Sequence, residues 1–378
     1  MAYPEKRGNN WRVRFKRPDG TYGTDPEKYP TKTAAKNRCE EIEAAQRAGN
    51  FVDPTLGRIT LDEYVERWFA RMHFRTHNEQ TKRSAYKCHI QPTFGSVAVA
   101  DIQRPAVQEW VTMMVARIAA GDFKTRTLEA TYGVLKEIMT DAEANDYIPK
   151  TPCRSIKRPA NRPSEKVFAT GYQIVRIGQR LDPWNEMPTI IAGTLGTRYG
   201  ETMGALRESF DRDAMRLYGH NRLEPGTMRD GEPLKGMSAN RPMVLPPYLV
   251  ELIDAWLEMH DSKYICPSQR GKILRPKAFY ADWDPIVDQI CPGLTFHGLR
   301  HSVKVAMDEA GIPDPLKRRQ FGHSGNGVPA IYEHVTEAME RRLRNALQHR
   351  WEQAGGDTAA IIKRWKNLPF PRQADSRG

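Results

Sequence analysis

Apolar and polar positions change period along the chain, and the changes divide it. Asn10-Trp11-Arg12-Val13-Arg14-Phe15 alternates apolar and basic residues, the period-two pattern of a half-buried strand. Pro18-Asp19-Gly20 is a turn, because proline presets one torsion and glycine accepts a positive φ. Gly20 to Thr24 reads as the return strand. Pro30-Thr31-Lys32-Thr33-Ala34 opens a helix, with Thr31 or Thr33 as its cap, that runs to about Ala48 and stops at Gly49. Residues 1–57 therefore predict a small three-stranded sheet with one helix, and 50–58 a connecting linker.

From Thr60 the pattern becomes helical. Thr60 with Glu63 three residues on is a capping-box signal, and Leu61, Tyr64, Val65, Trp68, Phe69 and Met72 follow at helical spacing. A second helix is expected over 78–90, stopping before Pro92. A third begins at Arg104, with Pro105 at an allowed first-turn position. A fourth spans 124–145 with Leu128, Tyr132, Leu135, Ile138, Met139 and Ala142 as its stripe. Residues 58–149 thus form a helical domain whose aromatic residues read as core. Residues 150–166 hold Pro152, Pro159 and Pro163 among Lys150, Arg154, Lys157, Arg158, Arg162 and Lys166, the composition of a basic linker. Residues 167–350 form a larger α-rich domain. Its helices are expected over 171–181, 187–199, 248–260, 275–291, 294–310, 312–321 and 328–347, with short strands at 216–222 and 242–246. A tail follows over 351–378, with a short helical stretch at 359–365 and an end expected to be disordered. The fold class is α+β, multidomain.

Charge narrows the function. The formal net charge is +12 and the pI about 9.4, a balance suited to a polyanion: nucleic acid first, an acidic membrane surface second. Residues 1–38 carry ten Lys/Arg against four Asp/Glu. Trp11, Arg12, Arg14, Lys16 and Arg17 are expected on one sheet face, which either enters a DNA groove or is simply solvated. Lys82, Arg83, Lys87, Lys124 and Arg126 of the helical domain are candidate phosphate contacts. Five scattered cysteines with no CxxC pair or zinc-ligand spacing point to reduced thiols in a cytosolic protein. The first residues lack the apolar core of a secretory signal, and no apolar run is long enough to span a membrane.

The candidate chemistry lies in the third domain. Arg198, Lys235, His297, Arg300, His323 and Tyr332 occur in that order. Tyr332 taken alone is a packed helix residue; its company changes that reading. Two guanidiniums offer forked donors to phosphate oxygens and stabilise the charge that builds on them when phosphorus is attacked. A tyrosine hydroxyl is a poor nucleophile unless a base takes its proton, and His297, one helical turn before Arg300, suits that task. The leaving 5′-oxygen needs a proton, which Lys235 can supply from a β-turn. His323 can hydrogen-bond the phosphate. With these cations in place the chemistry requires no metal.

This ordered set, with GTRYGETMGAL, HGLRHS and GHSGNGVPAIYEH around it, resembles the tyrosine recombinase (phage integrase) family. HIQPTFGSVAVADIQRPAVQEWV resembles that family's helical, SAM-like core-binding domain, and residues 1–57 the arm-binding domain of two-site integrases. The resemblance implies a clamp around core-site DNA and a tyrosine-recombinase catalytic domain with a small sheet. In it Tyr332 is the nucleophile of a 3′-phosphotyrosyl link, Arg198 and Arg300 bind the phosphate, Lys235 is the general acid, His297 the general base, His323 a phosphate support, and Glu201 a buttress for Arg198. Implied partners are double-stranded attachment sites, a homo-tetramer on DNA, a directionality factor and a DNA-bending host protein, in the nucleoid-containing cytoplasm of a bacterium. Two departures stand out. Thr197 occupies a position that is usually apolar, and a long glycine-rich stretch separates Arg198 from Lys235, with Lys263, Lys272 and Lys277 downstream. A type IB topoisomerase or hairpin telomere resolvase shares the chemistry, and a non-catalytic DNA-binding regulator shares the fold. The amino-terminal domain favours integration over the first two, and the intact set argues against the third.

Overall fold

The computed structural model describes residues 1–17, 19–49, 51–74, 76–160, 165–219, 241–322 and 334–367. It contains two compact units, 1–163 and 164–378.

The first unit opens with an antiparallel sheet of β1 (Ala2–Arg7), β2 (Asn10–Lys16) and β3 (Tyr22–Thr24), in that order. Ala2 pairs with Phe15 and Arg7 with Asn10, so Gly8 turns the hairpin at φ +60°. Val13 and Phe15 are fully buried beneath α1 (Lys32–Arg47), which supplies Ala35, Cys39 and Ile42. Gly23 is required opposite Phe15, because a Cβ there would lie 2.4 Å from its ring. Thr31 caps α1. β1 was not visible as an alternation, since Pro4 interrupts it.

The helical part contains α2 (Leu61–Arg71), α3 (Thr76–Ala85), α4 (Gln91–Phe94), α5 (Arg104–Ala119) and α6 (Thr125–Ala144). The Thr60–Glu63 capping box forms. The helix expected to stop before Pro92 instead continues. A π turn over Tyr86–Ile90 shifts the bonding register, with the Gln91 N–H reaching back to Tyr86 O, and Pro92, which has no N–H to give, follows at once in α4. Trp68, Trp110, Leu128, Leu135 and Ile138 fill the core.

The basic segment is bound down over its first half, against the expectation of a linker from residue 150. Tyr132 donates to Cys153 O at 2.7 Å, Arg104 to the carbonyls of Arg154 and Ser155, and the Lys157 N–H to Gln108 Oε1 at 2.9 Å. Arg158 pairs with Glu129 at 2.8 Å and lies over the Tyr132 ring.

The second unit holds α7 (Gly171–Arg180), α8 (Pro183–Leu195), α9 (Tyr199–Met203), α10 (Pro247–Leu257), α11 (Pro276–Ile290), α12 (Phe296–Glu309), α13 (Asp314–Phe321), α14 (Glu337–Gln353) and α15 (Thr358–Lys366). Its antiparallel sheet runs β4 (Phe210–Asp211), β5 (Arg216–Tyr218), β6 (Pro242–Val244). Trp256, Phe279, Trp283 and Phe296 anchor the core. Two expected helices shift. The one expected over 187–199 starts at Pro183, capped by Asp182, and ends at Leu195, because Gly196 adopts the left-handed conformation. The one expected over 328–347 begins at Glu337 under a Thr336 cap and extends to Gln353; residues 328–333 lie outside the described set. The segment read as a tail from 351 is packed up to Lys366: Trp351 and Ile361 are buried, and Trp365 is fully so.

No described helix is long and apolar enough to cross a membrane. All five cysteines are free; four are buried and Cys88 is exposed.

Candidate active site

The site is built on the break between α8 and α9. Gly196 caps α8 at φ +69°, and a Cβ there would come 2.4 Å from the Phe321 ring, so only glycine lets α8 end against α13. The turn delivers Arg198 to the start of α9. Glu201 accepts the Arg198 backbone N–H at 2.9 Å and its guanidinium, Nη1 to Oε1, at 2.9 Å. The same carboxylate takes Arg241, from the start of β6, at 2.8 Å (Nη2 to Oε2). Arg300, on the second turn of α12, donates to Gly196 O at 2.7 Å and Phe321 O at 2.6 Å, with Nη1 4.0 Å from Glu201 Oε2. Its guanidinium also lies 4.8 Å over the Phe321 ring.

Three guanidiniums thus surround one buried carboxylate, leaving an excess of positive charge. The Arg241 and Arg300 side chains are 2% and 6% exposed, whereas Arg198 is 47% exposed and presents its face outward. Burial alone would raise the pKa of Glu201, but Arg241 and then Arg198 outweigh it, and the group is held ionised below its ordinary range. Burial, then the neighbouring Arg198, brings Arg300 down to about 10, still charged at neutral pH.

His297 lies in the first turn of α12, whose N-terminus Thr295 caps. It is exposed, with its ring 5.0 Å from that of His301 and nearly perpendicular to it. Partial burial, then His301, Arg300, Arg198 and Lys166, pushes its pKa below the ordinary value, so the imidazole is neutral and able to accept a proton at neutral pH.

Lys235, His323 and Tyr332 lie outside the described residues. At the edges of the segment carrying Lys235, the Gly219 N–H donates to Arg241 O at 3.2 Å.

The expected DNA contacts separate. Arg12, Arg14 and Lys16 share the β2 face away from α1. Trp11 does not join them: it packs toward the α1 core, exchanges backbone bonds with Tyr29 and takes Lys32 over its ring. The alternation that buries Val13 and Phe15 turns Trp11 to the same side, where it is half-buried. Arg17 is tied to Asp53 at 2.5 Å and Thr55 at 3.1 Å, fastening the exit segment to the sheet. Lys82 pairs with Glu137, and Arg83 with Glu79 and Glu66 while covering the Phe69 ring. Lys87, Lys124 and Arg126 are exposed.

Sequence reasoning passed over Arg241, whose only signal was a cation opening an apolar strand, Arg241-Pro242-Met243-Val244-Leu245.

Two family profiles match the chain: "Phage integrase family" over residues 196–339 and "Phage integrase, N-terminal SAM-like domain" over 60–115, together more than half of it. The chain belongs to the phage integrase family of tyrosine recombinases. The integrase is 26% identical over 353 residues to the "Putative prophage phiRv2 integrase" of Mycobacterium tuberculosis, covering 88% of this chain and 91% of that one. It is 22% identical over 301 residues to the integrase of Mycobacterium phage L5, covering 76% and 79%. In fold it is similar to the Tn1549 transposon integrase in complex with a circular intermediate DNA (TM-score 0.61, 16% identity, 76% of this chain and 99% of that one). It is also similar to a lambda integrase in a tetramer bound to a Holliday junction (TM-score 0.54, 16% identity, 86% and 96%). The integrase is a DNA-binding enzyme of strand cleavage and rejoining.

Proposed function

We propose that this integrase recombines double-stranded attachment sites through a 3′-phosphotyrosyl link to Tyr332, integrating and excising a phage or other mobile element. The observation that carries the reading is the convergence of Arg198 and Arg300 on Glu201, with Arg198 open to a ligand and His297 one turn from Arg300. Tyr332 Oη attacks the scissile phosphorus as His297 takes the phenol proton. The bond from phosphorus to the 5′-oxygen breaks, and Lys235 protonates the departing oxygen. Arg198, Arg300 and His323 hold the non-bridging oxygens as charge builds on them. Rejoining is the reverse attack by a 5′-hydroxyl, so the phosphotyrosine conserves the bond energy. Residues 1–57 serve arm-type sites and 58–149 core sites. Arg12, Arg14, Lys16, Lys87, Lys124 and Arg126 contact phosphates, in a homo-tetramer in the bacterial cytoplasm, aided by a directionality factor and a DNA-bending protein.

A nicked suicide substrate carrying the attachment site is expected to trap a covalent adduct whose tryptic map places the DNA on Tyr332. No adduct, or one on another residue, overturns the reading. The lowered pKa of His297 sets the pH dependence. A base is competent when unprotonated, so the acid limb of kcat/KM for adduct formation falls below the ordinary histidine pKa of about 6.5. A limb above that value removes His297 from the role. Replacing Arg12, Arg14 and Lys16 together with alanine is expected to lower the slope of log K against log salt by about one for each phosphate no longer neutralised. An unchanged slope at arm-type DNA shows that this face is merely solvated.

A further inference from the structure

We propose that Arg241 is a positioning residue for strand cleavage: as the inner counter-ion of Glu201, it leaves the charge of Arg198 and Arg300 available to the scissile phosphate. The proposal rests on the reading that those two arginines hold that phosphate.

Arg241 is too deeply buried to touch DNA, at 2% side-chain exposure. It faces the Glu201 carboxylate with both terminal nitrogens, at 2.8 and 3.4 Å. Its Nε donates to Gln320 O at 3.2 Å, the end of α13. Gly322, at φ +64°, lies so close that a Cβ would sit 2.6 Å from Arg241 Nη1. Fully buried Gln320 in turn accepts the Val244 N–H at 3.0 Å, stitching β6 to α13. The guanidinium is therefore fixed in orientation, and it meets Glu201 from the protein side.

Its effect follows from charge and distance. Glu201 has Arg198 at 2.9 Å and Arg300 at 4.0 Å. Among the described residues, Glu201 without Arg241 is compensated by those two, and part of their field is spent on it. With Arg241 in place, three cations face one anion among the described residues, and the surplus lies on the groups that meet the ligand. A phosphodiester under attack carries more charge on its non-bridging oxygens than at rest, so the surplus acts on the cleavage rate more than on DNA affinity.

The test compares wild type with Arg241→Met, matched in length but uncharged. Single-turnover adduct formation is followed on two suicide substrates, one with the normal scissile phosphodiester and one with a methylphosphonate there, in which a methyl group replaces a charged oxygen. On the phosphodiester the variant is expected to be slower by about a hundredfold at saturating DNA, with half-saturation shifted by no more than about threefold. On the neutral methylphosphonate, which has less charge to stabilise, the ratio of wild-type to variant rates narrows by about tenfold or more. Adding Glu201→Gln to the variant restores part of the phosphodiester rate, because the uncompensated anion is gone. A folding defect lowers both substrates by one factor, so equal loss on both overturns the proposal, as does a wild-type rate on the phosphodiester. If wild type forms no Tyr332 adduct on either substrate, the reading of the active site fails instead.

Discussion

Arg300→Met is expected to bind core-site DNA yet slow covalent capture by about a thousandfold or more, because under the proposed function one side chain serves both the phosphate and the frame that holds its neighbours. Removing a preorganised donor from a developing oxyanion costs about two to three orders of magnitude by itself. Arg300 adds a second effect. It bonds Gly196 O and Phe321 O, the last turns of α8 and α13, and those turns lead to Arg198 on one side and to the His323 segment on the other. Methionine leaves two buried carbonyls without their donor, at about 1–3 kcal/mol each. Arg300→Lys fares little better, since a single ammonium lacks the planar fork that spans both carbonyls. Single-turnover adduct yield against a gel-shift binding curve separates the effects. A variant within about tenfold of wild type in rate shows that Arg300 is no more than a strut.

Trp365→Ala is expected to destabilise the second unit by about 3–5 kcal/mol, although it lies in a region that reads as a tail. Trp365 is fully buried, meets Trp256 edge-on at 4.9 Å between ring centroids, and donates its Nε1–H to Glu186 Oε2 at 2.8 Å. Arg364 pairs with the same carboxylate and donates to Gln179 O. Glu186 is fully buried, and burial raises its pKa despite Arg364 and the indole. The folded state thus binds this proton more tightly than the unfolded state, so this group's contribution is greatest in acid and declines as pH rises through its folded pKa. Removing the indole takes away a donor that bonds the charged form more strongly than the neutral one. The loss is therefore largest near neutrality and shrinks as the pH falls toward the carboxylate range. Urea unfolding followed by circular dichroism at the two pH values measures both; a loss below about 1 kcal/mol, or one growing toward acid, contradicts this account.

Most helices were legible because their apolar stripes are strong and their starts are signalled, as at Thr60–Glu63. The arginine motifs were legible because Arg198 and Arg300 sit in dense local patterns. What escaped depended on contacts far apart in the chain. Gly196 lies in a run of small and apolar residues that continues the helical pattern, and the reason for a break there is the Phe321 ring, 125 positions later. Arg241 looks like the exposed start of a strand until Glu201 is brought beside it. Trp11 shares the basic residues' stretch but not their face, a distinction the alternation itself carried. Ile361 and Trp365 are four apart in a short basic helix, too brief a stripe to announce burial. Arg17 and Arg83 looked like DNA ligands because their carboxylate partners are remote or were not weighed.

The cysteines make the native chain its own reporter. Cys39, Cys153, Cys266 and Cys291 are buried, while Cys88 stands exposed in the π turn, next to Lys87. A maleimide dye added to the folded protein is thereby directed to one position without any substitution. Its fluorescence then reads the surroundings of the helical domain directly as attachment-site DNA is titrated in.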